Sequence, residues 1–411
     1  MLERRLPAVR HRDFRALWLG GACSSTALWT LLLGNAWIVY KLSDSSFWVG
    51  VSTFASMSPY LVAPLGGMVA DRAERRILVR VTRLLTFGVT LTLFSLAVLD
   101  VIAVWMVVAM ALLQGVVRSI EIPADQALLA NVVPPEDLGN GVALTSTTQH
   151  GTRAVGPLLA GPLLATVGVQ GAYAVSAAMA FFAFLAVRRI DVSSRGGVER
   201  LSDLVENLRV GLNYVRSTPP VLALFVLVFF HCSLTMSFDA MLPGFAETEL
   251  HHPSSGFTMM TFGVGVGALV GTFTLAMLTG VRRGPLLFAM AVVSGASPIL
   301  MGLSMDMTSA ALSATIMGAS QATFMALSAV LLQEAVPDAI RGRVMSLYLM
   351  SAGGIMAIMN LSFGALADWT GSPVLFAVPG AAFVVITLLS ALTGPDLRRI
   401  YRTGQTAVAA A

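Results

Sequence analysis

Arg118, Glu121 and Asp125 stand at spacings of three and four inside an otherwise apolar run. In a helix that spacing puts all three on one face. A charge in hydrocarbon is costly unless paired or hydrated, so the face belongs inside a bundle or along a water-filled cavity. Two readings stay open. One is an internally neutralised ion pair. In the other, Glu121 or Asp125 exchanges a proton while Arg118 tunes its pKa, a neighbouring cation favouring the carboxylate and desolvation opposing it. Gln149, His150 and Arg153 form a second polar cluster. Its imidazole could titrate near neutral pH or serve as a hydrogen-bonding group between helices. His231 and Asp239, eight residues apart, would fall on nearly one helix face, two turns from each other. The proton-coupling candidates are therefore Arg118, Glu121, Asp125, Asp239 and His150. Asn35, Gln149, Arg153, His231, Gln321 and Asn360 are the candidates for lining a substrate cavity.

The elements that must position these groups are membrane helices. Hydrophobic residues make up 56% of the 411 and charged ones only 12%, about half the usual charged share. Apolar runs of the length that crosses the hydrocarbon, roughly 20 residues, recur from Trp18 to Leu392. Twelve spans are expected at about 16–40, 47–70, 78–99, 101–128, 139–167, 170–187, 220–246, 254–279, 284–304, 308–333, 343–367 and 373–393. Of the 26 Lys and Arg, all but Lys41, Arg118 and Arg153 are assigned to the N-terminal segment, alternate loops or the C-terminal segment. Cytoplasmic loops collect positive charge, so both termini are expected in the cytoplasm of a bacterial-type inner membrane. The same bias accounts for the net charge of +4, and no nucleic-acid partner is implied. The arginine-rich start, with no small-residue cleavage site before the first span, is not expected to be a cleaved signal.

Residues 188–219 are the longest polar stretch, with an apolar stripe at Leu201, Leu204, Leu208, Leu212 and Val215. They read as a linker containing a helix along the inner membrane surface, joining a half at 1–187 to a half at 220–411. The halves repeat. A shift of 203 residues aligns Val133-Pro134 with Val336-Pro337, Gly115 with Gly318, Gly139 with Gly342, Gly161 with Gly364, Gly168 with Gly371, and Arg118 with Gln321. The fold expected is all-α, twelve transmembrane helices in two pseudo-symmetric six-helix bundles, the architecture of transporters that rock two halves about a central site.

After the second span the residues run Gly67, three more, Asp71-Arg72, two more, Arg75-Arg76. This resembles the loop signature of the major facilitator superfamily, with Glu74 where glycine is common. Physically, the Asp71 carboxylate could meet the positive N-terminal end of the eleventh helix near Arg341 to Val344 and latch the halves together. The resemblance implies the same latch, made of Gly67, Asp71, Arg72, Arg75 and Arg76. The fifth span carries Gly156-Pro157 and Gly161-Pro162, a helix-bending motif similar to one in exporters of the superfamily, and Arg118 resembles the intramembrane arginine of proton-coupled members. Pro123-Ala-Asp-Gln and the Val-Pro loop look most like bacterial drug and siderophore exporters. Neither an enzyme nor a metal site is indicated, since Cys23 and Cys232 lie in separate spans and no catalytic constellation occurs. The glycine run 263–271 suits close helix packing, not phosphate binding. No cofactor is expected. The function implied is a monomeric, proton-coupled antiporter exporting amphipathic small molecules by alternating access. A facilitator or importer of lipid-like cargo, and a sensor that kept the fold, are the alternatives.

Overall fold

In hydrocarbon a backbone N–H or C=O has no solvent partner, so a chain this apolar must satisfy them within helices. The computed structural model describes residues 7–62, 73–192, 201–278 and 280–404, and among these there is no strand. A short 3-10 turn, Pro7–Arg10, leads into α1 (Arg12–Ser43). The first bundle continues with α2 (Ser46–Met57), extended by a 3-10 turn to Val62, α3 (Arg75–Val98), α4 (Val104–Val132), α5 (Pro135–Thr166) and α6 (Val169–Val187). Next comes α7 (Leu201–Ser217), which meets α8 (Pro219–Leu234) at 104°. The second bundle is completed by α9 (Leu242–Thr248), α10 (Pro253–Met277), α11 (Arg283–Gly302), α12 (Met307–Ala335), α13 (Asp338–Thr370) and α14 (Ser372–Thr393). A short helix missed by the sequence reading, α15 (Pro395–Thr403), buries Leu397, Ile400 and Tyr401.

Nine of the described helices are long and apolar enough to cross a membrane by themselves. The twelve-span architecture is completed by the polar α5, by α2 with its 3-10 extension, and by α8 together with α9. Large apolar side chains such as Leu85, Leu222, Val378 and Leu389 point outward, as a lipid-facing surface requires.

The 203-residue repeat is a repeat of structure. Val133 and Val336 both leave their helices in extended conformation. Gly168 and Gly371 take φ of +92° and +80° ahead of α6 and α14, a region that glycine enters without steric cost. Gly115 lies where α4 crosses α2, and Gly318 where α12 crosses α10. Gly161 faces Thr258 across the α5–α10 seam, and Gly364 faces Ser46 across the α13–α2 seam. These last two are the contacts that join one bundle to the other.

The core shows which end is closed. At the end carrying the 44–45, 249–252 and 371 turns, a single apolar core draws on both bundles, from Leu31, Trp37 and Val49 to Phe245, Phe257 and Phe363. Toward the end that holds Pro7–Arg10 and α15, it divides. Phe14, Leu17, Val79 and Leu128 form one core, and Leu224, Leu331, Val344 and Tyr401 form another.

Two expectations change, and a third falls outside what the structure describes. The seventh span is not one helix: it breaks between Leu234 and Leu242. The freed backbone is satisfied from neighbouring helices, with Gln321 Nε2 donating to the Thr235 carbonyl at 2.6 Å and the Ala240 N–H donating to Asn360 Oδ1 at 3.2 Å. Arg80 and Arg83, counted with the loop cations although the expected span 78–99 contains them, lie within α3, which begins at Arg75. Part of the second span, with Gly67, Asp71 and Arg72, lies outside the described residues.

Candidate functional site

Arg83 is the central cation of the buried charge cluster. It is fully buried, and its guanidinium reaches from α3 to both carboxylates of α4. Nη1 contacts Glu121 Oε1, and Nη2 donates to Asp125 Oδ2 at 2.5 Å. Arg118 Nη1 donates to the same Glu121 oxygen at 2.9 Å, one turn away on α4, and Ser24 Oγ of α1 donates to it at 2.9 Å. Two guanidinium groups thus neutralise two carboxylates between three helices. The predicted trio does share a face, but its neutralisation depends on Arg83, which is not among the site candidates the sequence suggests.

Exposure separates the two carboxylates. The Glu121 side chain is 0% exposed and that of Asp125 25%. Asp125 and Arg118 line a narrow cleft with Trp18, Ser25, Gln126 and Gln149. Buried Glu121 is a cross-link; Asp125 is open to the cleft.

A second polar group lies one turn deeper. Trp29 follows Ser25 by four residues on α1, and Arg153 follows Gln149 by four on α5. The Arg153 guanidinium carbon sits 5.0 Å from the Trp29 ring centre. Its opposing charge is Asp239, in the break between α8 and α9 of the other bundle. Gly156 lets α5 approach Trp29, where a Cβ would come within 2.5 Å of the Trp29 Cβ. Gly265 of α10 packs on the backbone of Arg153 and Ala154, leaving 2.6 Å for a Cβ. With Pro157 and Pro162 inside it, α5 runs uninterrupted through the predicted bend motif.

Four of the expected cavity residues are not at a cavity surface. Asn35 is buried, and its Oδ1 accepts from the Tyr173 hydroxyl at 2.9 Å. His231 is buried against Phe324 and Phe383, with Nε2 2.7 Å from Ser294 Oγ. Because α8 ends at Leu234, His231 and Asp239 do not share a helix face. Gln321 and Asn360 are buried too, holding the α8–α9 break. In a helical bundle an isolated amide or imidazole is most cheaply accommodated as an interhelical hydrogen bond. The side chain of His150 lies outside the described residues.

Around the loop signature, Arg75 Nη1 donates to Asn131 Oδ1 at 3.0 Å, and Arg76 pairs with Glu74 at 2.7 Å and donates to the Asp191 carbonyl at 2.9 Å. Arg80 donates to the carbonyls of Arg188 and Ile190. These arginines fasten the start of α3 to the ends of α4 and α6.

At the closed end the seam is pinned by groups absent from the sequence reading. Asp368, in the last turn of α13, accepts from Ser45 Oγ at 2.5 Å, from the Ser46 N–H at 2.7 Å and from the Phe47 N–H at 3.2 Å. It caps α2 from the opposite bundle. Lys41 pairs with Glu247 at 3.3 Å, and Trp37 stacks on Phe257 at 6.3 Å.

Residues 5–400 match the family model described as transmembrane secretion effector, within the major facilitator superfamily. The chain belongs to this family. It is 26% identical over 395 residues to the enterobactin exporter EntS of Citrobacter koseri, covering 95% of this chain and 93% of that one. To the staphyloferrin A transporter of Staphylococcus aureus it is 22% identical over 372 residues, covering 88% and 91%. Among solved structures, a POT family transporter in complex with a thioalcohol-conjugated peptide superposes with a TM-score of 0.76 at 13% identity, covering 94% of this chain and 96% of that one. A D-xylose-proton symporter superposes at 0.74 and 16%, covering 95% and 98%. The protein is a multi-pass membrane transporter of small molecules in the twelve-helix, two-bundle fold, and not an enzyme.

Proposed function

We propose that this transporter exports siderophore-class molecules from the cytoplasm as a monomeric, proton-driven antiporter working by alternating access. The observation that carries the reading is a neutral buried charge cluster, Arg83 and Arg118 with Glu121 and Asp125, presenting one carboxylate to a cleft. A carboxylate bonded to a cation and open to water can lose its proton on one side of a cycle and regain it on the other. The cargo class is supported by the siderophore transporters among the relatives. On this reading the termini are cytoplasmic in a bacterial inner membrane, so the divided core faces the cytoplasm and the Asp368 end is the closed outer side. The moving bodies are residues 1–187 and 220–411, with 188–219 as their linker. Alternating access then requires a second state in which the outer seam parts and the cytoplasmic ends meet, Asp71 with its basic neighbours latching the inner side.

The test is uphill transport in proteoliposomes carrying an imposed pH gradient, with an iron-free catecholate siderophore as cargo. Accumulation that collapses with the gradient, and is lost in Asp125→Asn while downhill exchange persists, is the expected result. Transport of equal rate and extent with and without the gradient would make the protein a facilitator.

A further inference from the structure

We infer that Arg153, stacked on Trp29 and opposed by Asp239, is the cargo-selecting site, and that it selects planar anions such as aromatic carboxylates and catecholates. The inference rests on the export reading for direction but stands on its own geometry. Ser25 and Gln149 line the open cleft, and Trp29 and Arg153 follow each by one helical turn toward the closed end. The pair therefore lies one turn beyond the residues that line the cleft, on the side of the closed end. Both side chains are half-buried, and a cargo that enters the cleft and passes Ser25 and Gln149 meets them next.

Guanidinium stacking on an indole face leaves the N–H edge free, and that edge matches two coplanar oxygens. The indole offers a flat apolar surface to a ring held by those oxygens. A planar anion uses both features; an aliphatic cation uses neither. Arg153 is kept ready because Asp239 supplies an opposing charge from the second bundle without forming a close ion pair, while Gln321 and Asn360 fix the backbone on either side of Asp239. A bound anion would therefore meet Asp239 as a rival for Arg153, and its arrival changes the electrostatic balance across the seam between the bundles.

This rivalry gives Asp239→Asn a sign that a purely structural role does not share. The measurement is calorimetric titration of the purified full-length chain with 2,3-dihydroxybenzoate, with benzamide and cyclohexanecarboxylate as neutral and non-planar controls. Dihydroxybenzoate should bind best. Arg153→Gln should weaken it about tenfold or more, and Arg153→Lys and Trp29→Leu by several-fold, from the loss of a charge-assisted bond and of the stack. Asp239→Asn should tighten it. Thermal melting of each variant confirms that it is folded, and Asp239→Glu, which keeps the charge, should stay near wild type. Unchanged affinity in Arg153→Gln, weaker binding in Asp239→Asn, or equal binding of benzamide would overturn the assignment. Binding of the predicted pattern without gradient-driven transport would instead overturn the antiport reading and leave the site standing.

Discussion

Removing the Asp368 carboxylate should open the sealed end of the transporter by an amount the structure allows one to work out. Within α13 the residue is badly placed, since a negative charge in a last turn opposes the helix dipole. Its favourable contacts are all on α2, where it accepts from two backbone N–H groups and the Ser45 hydroxyl. An N-cap is worth about 0.5–2 kcal/mol. Three donors argue for the upper part of that range, and the solvent exposure of Asp368 argues against the larger figures for buried charges. About 1.4 kcal/mol follows, and because α2 and α13 belong to different bundles, the whole of it acts on the state with this end closed. Asp368→Ala should therefore shift the balance toward the opposite state about tenfold. Asp368→Asn keeps an acceptor but loses the charge, about 0.3–1 kcal/mol, for a shift of roughly two- to fivefold that shrinks in high salt.

The assay is pulsed EPR between spin labels at Asp100 and Met305, exposed positions on the two bundles at the closed end, in a background with Cys23 and Cys232 replaced by serine. A growing long-distance population in the order wild type, Asn, Ala is expected. Amide exchange at Ser46 and Phe47 should rise in the same order. If the alanine variant keeps the wild-type distance distribution and exchange rates, Asp368 is not a seam clamp and the reasoning fails.

Arg83→Gln leaves Glu121 buried beside one cation where it had two, and breaking a buried pair costs about 3–5 kcal/mol, so the yield of folded protein and its melting temperature should fall sharply. Adding Glu121→Gln should recover part of that loss; a double variant no better than Arg83→Gln would refute the pairing. Gly265→Ala puts a methyl 2.6 Å from backbone atoms of Ala154 across the seam, an overpacking cost of about 1–3 kcal/mol that should appear as lower thermal stability and a looser α5–α10 contact. At the closed end, N–H and hydroxyl bonds from Ser309 and the N–H of Thr308 hold the Asp306 carboxyl below the usual carboxylate range. A depressed folded-state pKa gives a contribution that is full above the unfolded value, about 4, and is lost as pH falls through the folded one. Amide exchange at Thr308 and Ser309 should therefore speed up on acidification, and a flat profile would count against the cap.

Much of the fold was legible because the constraint that shapes it is local: each span must be about one bilayer long, and several repeat matches are glycines or prolines whose role is set by their own backbone. The Val-Pro pairs and Gly168 and Gly371 kept their assigned places for that reason. Arg83 was lost for the opposite reason. It follows Arg72, Arg75, Arg76 and Arg80 and reads as the last of an interfacial cluster, whereas its role is set by α4, packed beside it. The signal was its spacing, since Arg76, Arg80 and Arg83 continue one helix face inward. The break in the seventh span is hidden as well, because Thr235–Met241 contains neither proline nor glycine. What marked it was the polar content at Thr235, Ser237 and Asp239, which hydropathy averages away. Asp368 could have been noticed as an aspartate at the wrong end of its own helix.

The repeat also shows where the two bundles have parted company. Arg118 and Gln321 occupy equivalent places on α4 and α12, next to equivalent close-packed glycines, yet they do different things. Arg118 reaches a carboxylate and the cleft; Gln321 is buried and ties down the carbonyl of Thr235. A guanidinium at position 321 would need a counter-charge of its own in hydrocarbon, and the break it would face offers Asp239, four residues beyond the Thr235 carbonyl that Gln321 now holds. An amide instead leaves Asp239 uncommitted within its own bundle. Among the described residues the charge that opposes it comes from Arg153, across the seam. Splitting the charges this way neutralises the α3–α4 cluster around Arg83 within the first bundle and leaves the Arg153–Asp239 attraction spanning both halves, as the Lys41–Glu247 pair does at the closed end. An interaction between separate bodies is the kind that a rocking motion, or a bound anion, can alter without unfolding either of them.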